Sequence, residues 1–85
     1  MKHAGASALD QLEPLLIELR KCAGLKEKQP GVFYRKSAAF LHFHEDPAGL
    51  FADLRAGADW ERLLVNTMAE RKVVLARVKA ATTKP

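Results

Sequence analysis

The stretch Phe40–Arg55, FLHFHEDPAGLFADLR, decides the fold. At its centre, Asp46–Gly49 places Asp first, Pro second and Gly fourth, the positions that these residues prefer in a type I turn. Runs rich in strand-forming residues flank the turn on both sides. The stretch therefore predicts an antiparallel β-hairpin.

Two registers of this hairpin are open. A four-residue loop pairs Glu45 with Leu50, whereas a bulged three-residue turn shifts the pairing by one and puts Asp53 on the face of Phe43. We favour the first register because it separates polar from apolar side chains. Its core face holds Leu41, Phe43, Leu50, Ala52 and Leu54. Its opposite face, called the outer face below, holds Phe40, His42, His44, Phe51, Asp53 and Arg55.

Outward from the hairpin, the chain predicts a helix at each end. Leucines recur at helical spacing from Leu9 to Leu19, and a start near residues 10–13 would place Pro14 in the first turn. Gly24 is typical of a helix end. The last helix begins at Thr67–Glu70, a capping box.

Between these helices we expect three or four strands. Val32–Arg35 precedes the hairpin, and the polar run 26–31 before it predicts a loop because it closes on Pro-Gly. Residues 60–65 form either a fourth strand or an irregular edge. Short connections favour an antiparallel meander with both helices on one side. The prediction is a two-layer α+β fold.

Length and composition narrow the class of protein. With 85 residues, the chain forms a single domain over 1–85, and we expect residues 1–6 and 81–85 to fray. The single Cys22 excludes an internal disulfide, and no apolar run approaches the roughly 20 residues that span a bilayer. We therefore expect a cytoplasmic protein without membrane association.

The outer face is the strongest candidate for an interaction surface. Two aromatic residues, Phe40 and Phe51, stand there beside histidines and Arg55, and contiguous exposed apolar area tends to mark an interface. The opposite interpretation is that a helix or loop covers this face. The surface predicts contact with a protein partner or with a second copy of the chain.

A metal site on the same face is the alternative. His42 and His44 project the same way from one strand, and Asp53 lies opposite His42 in the favoured register. Two imidazoles and a carboxylate are a ligand set that binds divalent metals. The plainer interpretation is two half-exposed histidines, one of them hydrogen-bonded to Asp53. If His42 is the one that faces Asp53, its pKa should be raised.

Nucleic-acid binding is a further alternative, because the charge is unevenly distributed. The net charge is +4, yet residues 37–66 hold five acids and two bases, whereas residues 67–85 hold five bases and one acid. A basic helix can contact phosphates. The candidate phosphate contacts are Arg71, Lys72, Arg77 and Lys79.

Three segments, Phe33–Ser37, Phe40–Asp46 and Gly49–Leu54, resemble a family of short bacterial proteins for which no activity is established. The resemblance runs from about Leu19 to Val78. It implies a small bacterial protein and brings no catalytic residue, cofactor or partner with it. We therefore expect a binding domain without catalytic residues or a cofactor.

Overall fold

The predicted hairpin forms the centre of a six-stranded antiparallel sheet. The computed structural model describes residues 1–82. The elements are β1 (Lys2–His3), α1 (Ala6–Arg20), β2 (Leu25–Gln29), β3 (Val32–Arg35), β4 (Ala38–Asp46), β5 (Gly49–Ala56), β6 (Asp59–Leu64) and α2 (Met68–Thr82). The strands follow the order β2-β3-β4-β5-β6, and β1 pairs with β4. The predicted α+β fold is confirmed.

The hairpin takes the register that separates polar from apolar side chains. Glu45 lies opposite Leu50, and His42 lies opposite Asp53. Because side chains alternate along a strand, this pairing directs every second residue of β4 and β5 toward the helices. Residues 59–64 add the strand β6, so the structure resolves the alternative left open for that segment.

The loop prediction for residues 26–31 is wrong for 26–29 and is confirmed only for the turn at Pro30 and Gly31. Leu25–Gln29 forms β2, which pairs with β3 at one edge of the sheet. Its side chains are mostly exposed, so no alternation of apolar and polar residues marks it as a strand. Lys26, Glu27 and Lys28 suit an edge strand, where charges disfavour pairing with another chain.

The first helix starts earlier than predicted. It begins at Ala6, so Pro14 lies in the interior of α1 rather than in its first turn. Proline has no N–H, and the carbonyl of Asp10 therefore lacks its helical donor. Both residues are exposed, where water can replace the missing bond. The helix ends at Arg20, and Gly24, at φ +88°, turns the chain into β2.

The core lies between one face of the sheet and the two helices. α1 contributes four leucines, and α2 contributes Val74 and Val78. The core-facing residues of the hairpin are buried as predicted. The core residues are Ala8, Leu12, Leu15, Leu16, Leu19, Phe33, Phe40, Leu41, Phe43, Leu50, Ala52, Leu54, Val65, Val74 and Val78.

Phe40 belongs to this core and not to the outer face, which corrects its predicted position. Only 6% of its surface is exposed. The pairing of β3 with β4 slips between Phe33–Leu41 and Tyr34–Ala39, which leaves Phe40 as the extra residue of a β-bulge. A bulge locally breaks the alternation of side chains, so Phe40 joins Leu41 in the core.

The N-terminus is also more ordered than its composition suggests. We expected residues 1–6 to fray, whereas Lys2–His3 pairs with β4 opposite Glu45 and His44, and the amide of Gly5 donates to Glu45. At the other end, α2 continues to Thr82. The remainder of the expected frayed tail, residues 83–85, lies outside the described residues.

Candidate functional site

All three histidines of the chain meet on the outer face of the sheet. β4 positions His42 and His44, which are two residues apart and therefore share a face. β1 brings His3 opposite His44, where the two rings stack with centroids 4.8 Å apart. The ring of Trp60 on β6 lies 4.5 Å from that of His42. We call His3, His42, His44 and Asp53 the histidine cluster.

Three side chains of this cluster place their ligand atoms close together. Nδ1 of His42 lies 3.2 Å from Nε2 of His44, which in turn lies 3.2 Å from Oδ2 of Asp53. One ligand atom from each residue lies within 4.8 Å of the others. The predicted trio is therefore brought together.

The contact to Asp53 comes from His44, which sits diagonally across the ladder, and not from the directly opposite His42. His42 and His44 share a hydrogen bond between Nδ1 and Nε2, and which ring donates depends on the tautomer. His42 is therefore hydrogen-bonded to His44 and not to Asp53.

The pKa of His42 is lowered, and the expectation of a raised value is wrong. Burial is the main cause because it disfavours the charged ring, and the neighbouring His44 lowers the pKa further. Asp53 acts in the opposite direction without prevailing. Burial also lowers the pKa of His44. Both rings are therefore neutral at pH 7, which is the form that binds metals.

Asp53 is the charged residue at the base of the cluster. It is only 8% exposed, and Arg62 on β6 donates to both carboxylate oxygens, at 2.8 and 3.0 Å. These hydrogen bonds lower the pKa of Asp53 in spite of its partial burial. The carboxylate is therefore ionised at neutral pH, and Arg62 competes with any cation for it.

Two of the three separations between ligand atoms fit a tetrahedral metal ion, and the third, between His42 and Asp53, is at most 4.8 Å and has to shorten when an ion binds. Zinc binds imidazole nitrogen and carboxylate oxygen at about 2.0–2.1 Å, so neighbouring ligands in a tetrahedron lie about 3.3 Å apart. The two 3.2 Å separations in the cluster are close to this value. Neutral imidazoles and an ionised carboxylate complete the donor chemistry.

The remaining outer-face residues surround the cluster. Phe51 lies opposite both His44 and Leu64 and is half-buried. Arg55 donates to the carbonyl oxygen of Ala39, and its guanidinium carbon lies 4.5 Å from the centre of the Trp60 ring. The predicted outer face is thus formed by all its residues except Phe40.

The predicted basic helix face is divided. At 3.6 residues per turn, Lys72 and Lys79 lie about 20° apart around α2, whereas Arg77 lies about 140° from Lys72. Arg77 pairs with Glu61 on β6, and Arg71 donates to the carbonyl oxygen of Val65. The four bases do not form one stripe along the helix.

The sequence did not indicate His3 as a member of the histidine cluster, or Trp60 and Arg62 as its neighbours. His3 follows only two residues, which is too short for a strand pattern, and Arg62 is identified only when the pairing of β5 with β6 is known. Arg62 lies opposite Asp53 in that pairing.

No family model, curated protein or solved structure matches this chain. The resemblance to short bacterial proteins therefore stays a prediction. Within residues 1–82, no helix is long and apolar enough to cross a membrane.

Proposed function

We propose that this protein binds a divalent transition metal ion, zinc by its ligand chemistry, through His42, His44 and Asp53. The observation that carries the proposal is the spacing of the ligand atoms: two separations of 3.2 Å within a group whose members lie within 4.8 Å. Nitrogen ligands with one carboxylate suit zinc better than calcium or magnesium, which prefer oxygen.

Three protein ligands leave one tetrahedral position for a water molecule or for a group from another molecule. Two aromatic side chains border the ligand residues. His3 stacks on His44, and Trp60 packs against His42, so these rings would shield part of the surroundings of a bound ion. The function is therefore metal binding on a rigid sheet, with access from the solvent side.

A zinc titration of the chelator-treated protein followed by NMR tests this proposal. We expect saturable changes at the ring signals of His42 and His44, reversed by a chelator, and a loss of affinity of about tenfold or more in His42→Gln, His44→Gln and Asp53→Asn. Cobalt in place of zinc reports the tetrahedral geometry in its visible absorption.

Asp59→Asn is the matched control, because Asp59 is an exposed carboxylate at the start of β6 whose pairing with Ala56 places it on the face opposite to the histidine cluster. It should bind zinc as the unchanged protein does. Equal affinity in Asp53→Asn and Asp59→Asn would exclude Asp53 as a ligand. The absence of saturable changes at both rings would refute the proposal.

A second candidate function, binding of a protein partner on the outer face, is favoured by two exposed apolar side chains of β6. Trp60 is 39% and Leu64 is 46% exposed, and both project from the same side of the strand. Large apolar side chains that face solvent beside a polar rim are typical of interfaces.

Light scattering across a range of protein concentrations tests whether the partner is a second copy of this chain. We expect Leu64→Ser to weaken this self-association. Val73→Ser is the matched control, since Val73 on α2 is 53% exposed, slightly more than Leu64. A monomer at all concentrations, or equal effects of the two substitutions, would exclude association through the outer face.

A further inference from the structure

A second candidate binding site lies outside the histidine cluster, at one end of the sheet. An open groove of about 760 Å³ forms where the β3–β4 and β5–β6 turns meet the last turns of α2. Its apolar lining residues, called the floor below, are five alanines together with Phe40 and Leu54, which expose only 6% and 3% of their surface. Small-molecule pockets commonly have volumes of roughly 300–1,000 Å³, which includes this groove.

Four cationic side chains line the groove: Arg35, Lys36, Arg55 and Arg77. Arg77 is held by two contacts to Glu61, at 2.5 and 3.3 Å. Within residues 1–82, no carboxylate forms an ion pair with the other three. The groove therefore carries positive charge that this part of the protein does not neutralise.

Backbone and ring contacts position the two arginines Arg35 and Arg55, whereas for Lys36 only the backbone is fixed. Lys36 and Ser37 form the two-residue β3–β4 turn with φ of +54° and +68°, which places Lys36 beside the groove. Arg35 lies 5.9 Å from the centre of the Phe40 ring, and Arg55 donates to the carbonyl oxygen of Ala39. Positioned guanidinium groups suit phosphate, which they bind through two parallel hydrogen bonds.

We infer that the groove binds a nucleoside phosphate, with the phosphates on Arg35, Lys36 and Arg55 and the base on the apolar floor. A plain phosphate ion would leave the floor uncovered. The C-terminal end of α2 contributes about half a negative charge, which the charges of Arg35, Lys36 and Arg55 outweigh.

A nucleic-acid strand fits the groove less well, because the positive charge does not continue along α2. Lys72 and Lys79 lie on the other side of that helix, and Lys79 borders Glu18 and Lys21 of α1. A strand needs a charged track along its backbone. The groove instead concentrates its cations at one end of the molecule.

Amide NMR titrations in the presence of a chelator test the inference independently of the metal site. The probes are ADP, adenosine and inorganic phosphate. We expect saturable shifts with ADP at Lys36, Ala39 and Ala56, and at least tenfold weaker binding of adenosine and of inorganic phosphate. No saturable shift with ADP, or equal affinity for ADP and phosphate, would overturn the inference.

Arg35→Gln should weaken ADP binding about tenfold or more, the effect of losing a hydrogen bond to a charged group. Its substitution breaks no ion pair among the described residues, so the fold should persist. Lys72→Gln removes the same charge outside the groove and should leave the affinity unchanged. Equal losses in both variants, or tighter binding of a short oligothymidylate than of ADP, would contradict a nucleoside phosphate site.

Discussion

At the scale of single residues, the carboxylate of Asp53 has two competing partners, Arg62 and a metal ion bound at the histidine cluster. This carboxylate is nearly buried, accepts two hydrogen bonds from Arg62 and lies 3.2 Å from Nε2 of His44. A metal ion at the cluster must share this carboxylate with Arg62. The side chain of Arg62 is 52% exposed, so it can withdraw into solvent when an ion binds.

Arg62→Gln should therefore tighten zinc binding about threefold or more, the size of an electrostatic interaction of roughly 0.7 kcal/mol near the surface. The substitution removes a positive charge beside the ion and frees the carboxylate. Calorimetric titration measures the affinity, and Lys72→Gln controls for net charge. Weaker binding in Arg62→Gln would mean that Arg62 orients Asp53 for the metal.

The metal-free protein should lose stability as the pH falls from about 7.5 to about 5.5. Folding lowers the pKa values of His42 and His44 below the ordinary 6.5, so in this range the unfolded chain binds more protons than the folded one. The free energy of unfolding therefore rises with pH. Denaturant unfolding in the presence of a chelator measures this dependence.

The double variant His42→Gln/His44→Gln isolates the contribution of the two rings. Its free energy of unfolding should change less over the same pH range, since the remaining titratable groups are unchanged. Stability of the original protein that increases on acidification, or identical slopes in the two proteins, would contradict the lowered pKa values.

At the scale of elements, α1 contains a local conflict. Pro14 lies in the helix interior, where it removes one backbone hydrogen bond, yet Leu12, Leu15 and Leu16 around it are buried in the core. Tertiary packing of an apolar face stabilises most helices in proteins more than intrinsic propensity does. The burial of these leucines thus offsets the unfavourable proline.

Pro14→Ala should stabilise the protein by about 1–2 kcal/mol. Alanine restores the hydrogen bond to Asp10 and relieves a helix-interior proline, which costs about 3 kcal/mol, while the more flexible unfolded chain cancels part of the gain. Denaturant unfolding gives the difference. Gln11→Ala, also exposed within α1, should change stability by less than about 0.5 kcal/mol. A destabilised Pro14→Ala would show that the proline suits this position.

β1 is the element that connects the N-terminus to the histidine cluster. Its His3 stacks on His44, but no ligand atom of His3 belongs to the group of three. His3→Ala should therefore leave the zinc affinity within about threefold while it shifts the His44 ring signals. NMR and calorimetric titration measure the two effects. A loss of a hundredfold would identify His3 as a fourth ligand.

At the scale of the whole molecule, the burial of a side chain determines how much its substitution lowers the stability of the fold. Phe40→Ala should destabilise the protein by about 3–5 kcal/mol, because a large buried ring leaves a cavity. Phe51→Ala, at a half-buried position, should cost less than about 2 kcal/mol. Thermal or denaturant unfolding compares them. Equally small losses of stability in the two variants would contradict the burial of Phe40 and support its predicted position on the outer face.

Local pattern determined the central features of this fold. The turn at Asp46–Gly49 and the alternation beside it gave the hairpin and its register, because a shift by one residue would exchange the two faces. The predicted capping box is confirmed: Thr67 accepts a hydrogen bond from the amide of Glu70, and the carboxylate of Glu70 accepts one from the amide of Thr67. Each of these signals involves residues close together in the sequence. The same holds for His42 and His44, which share a face because they are two residues apart on one strand.

Only the tertiary structure decided which distant groups meet. His3 lies beside His44 because β1 pairs with β4, which is distant in the sequence. Arg62 lies beside Asp53 because β5 pairs with β6, a strand that the sequence pattern left undecided. Phe40 enters the core because a bulge interrupts the alternation that sequence reasoning assumes. Strand pairing depends on contacts across the whole chain. A pattern within one segment therefore gives the face of a residue but not its partner.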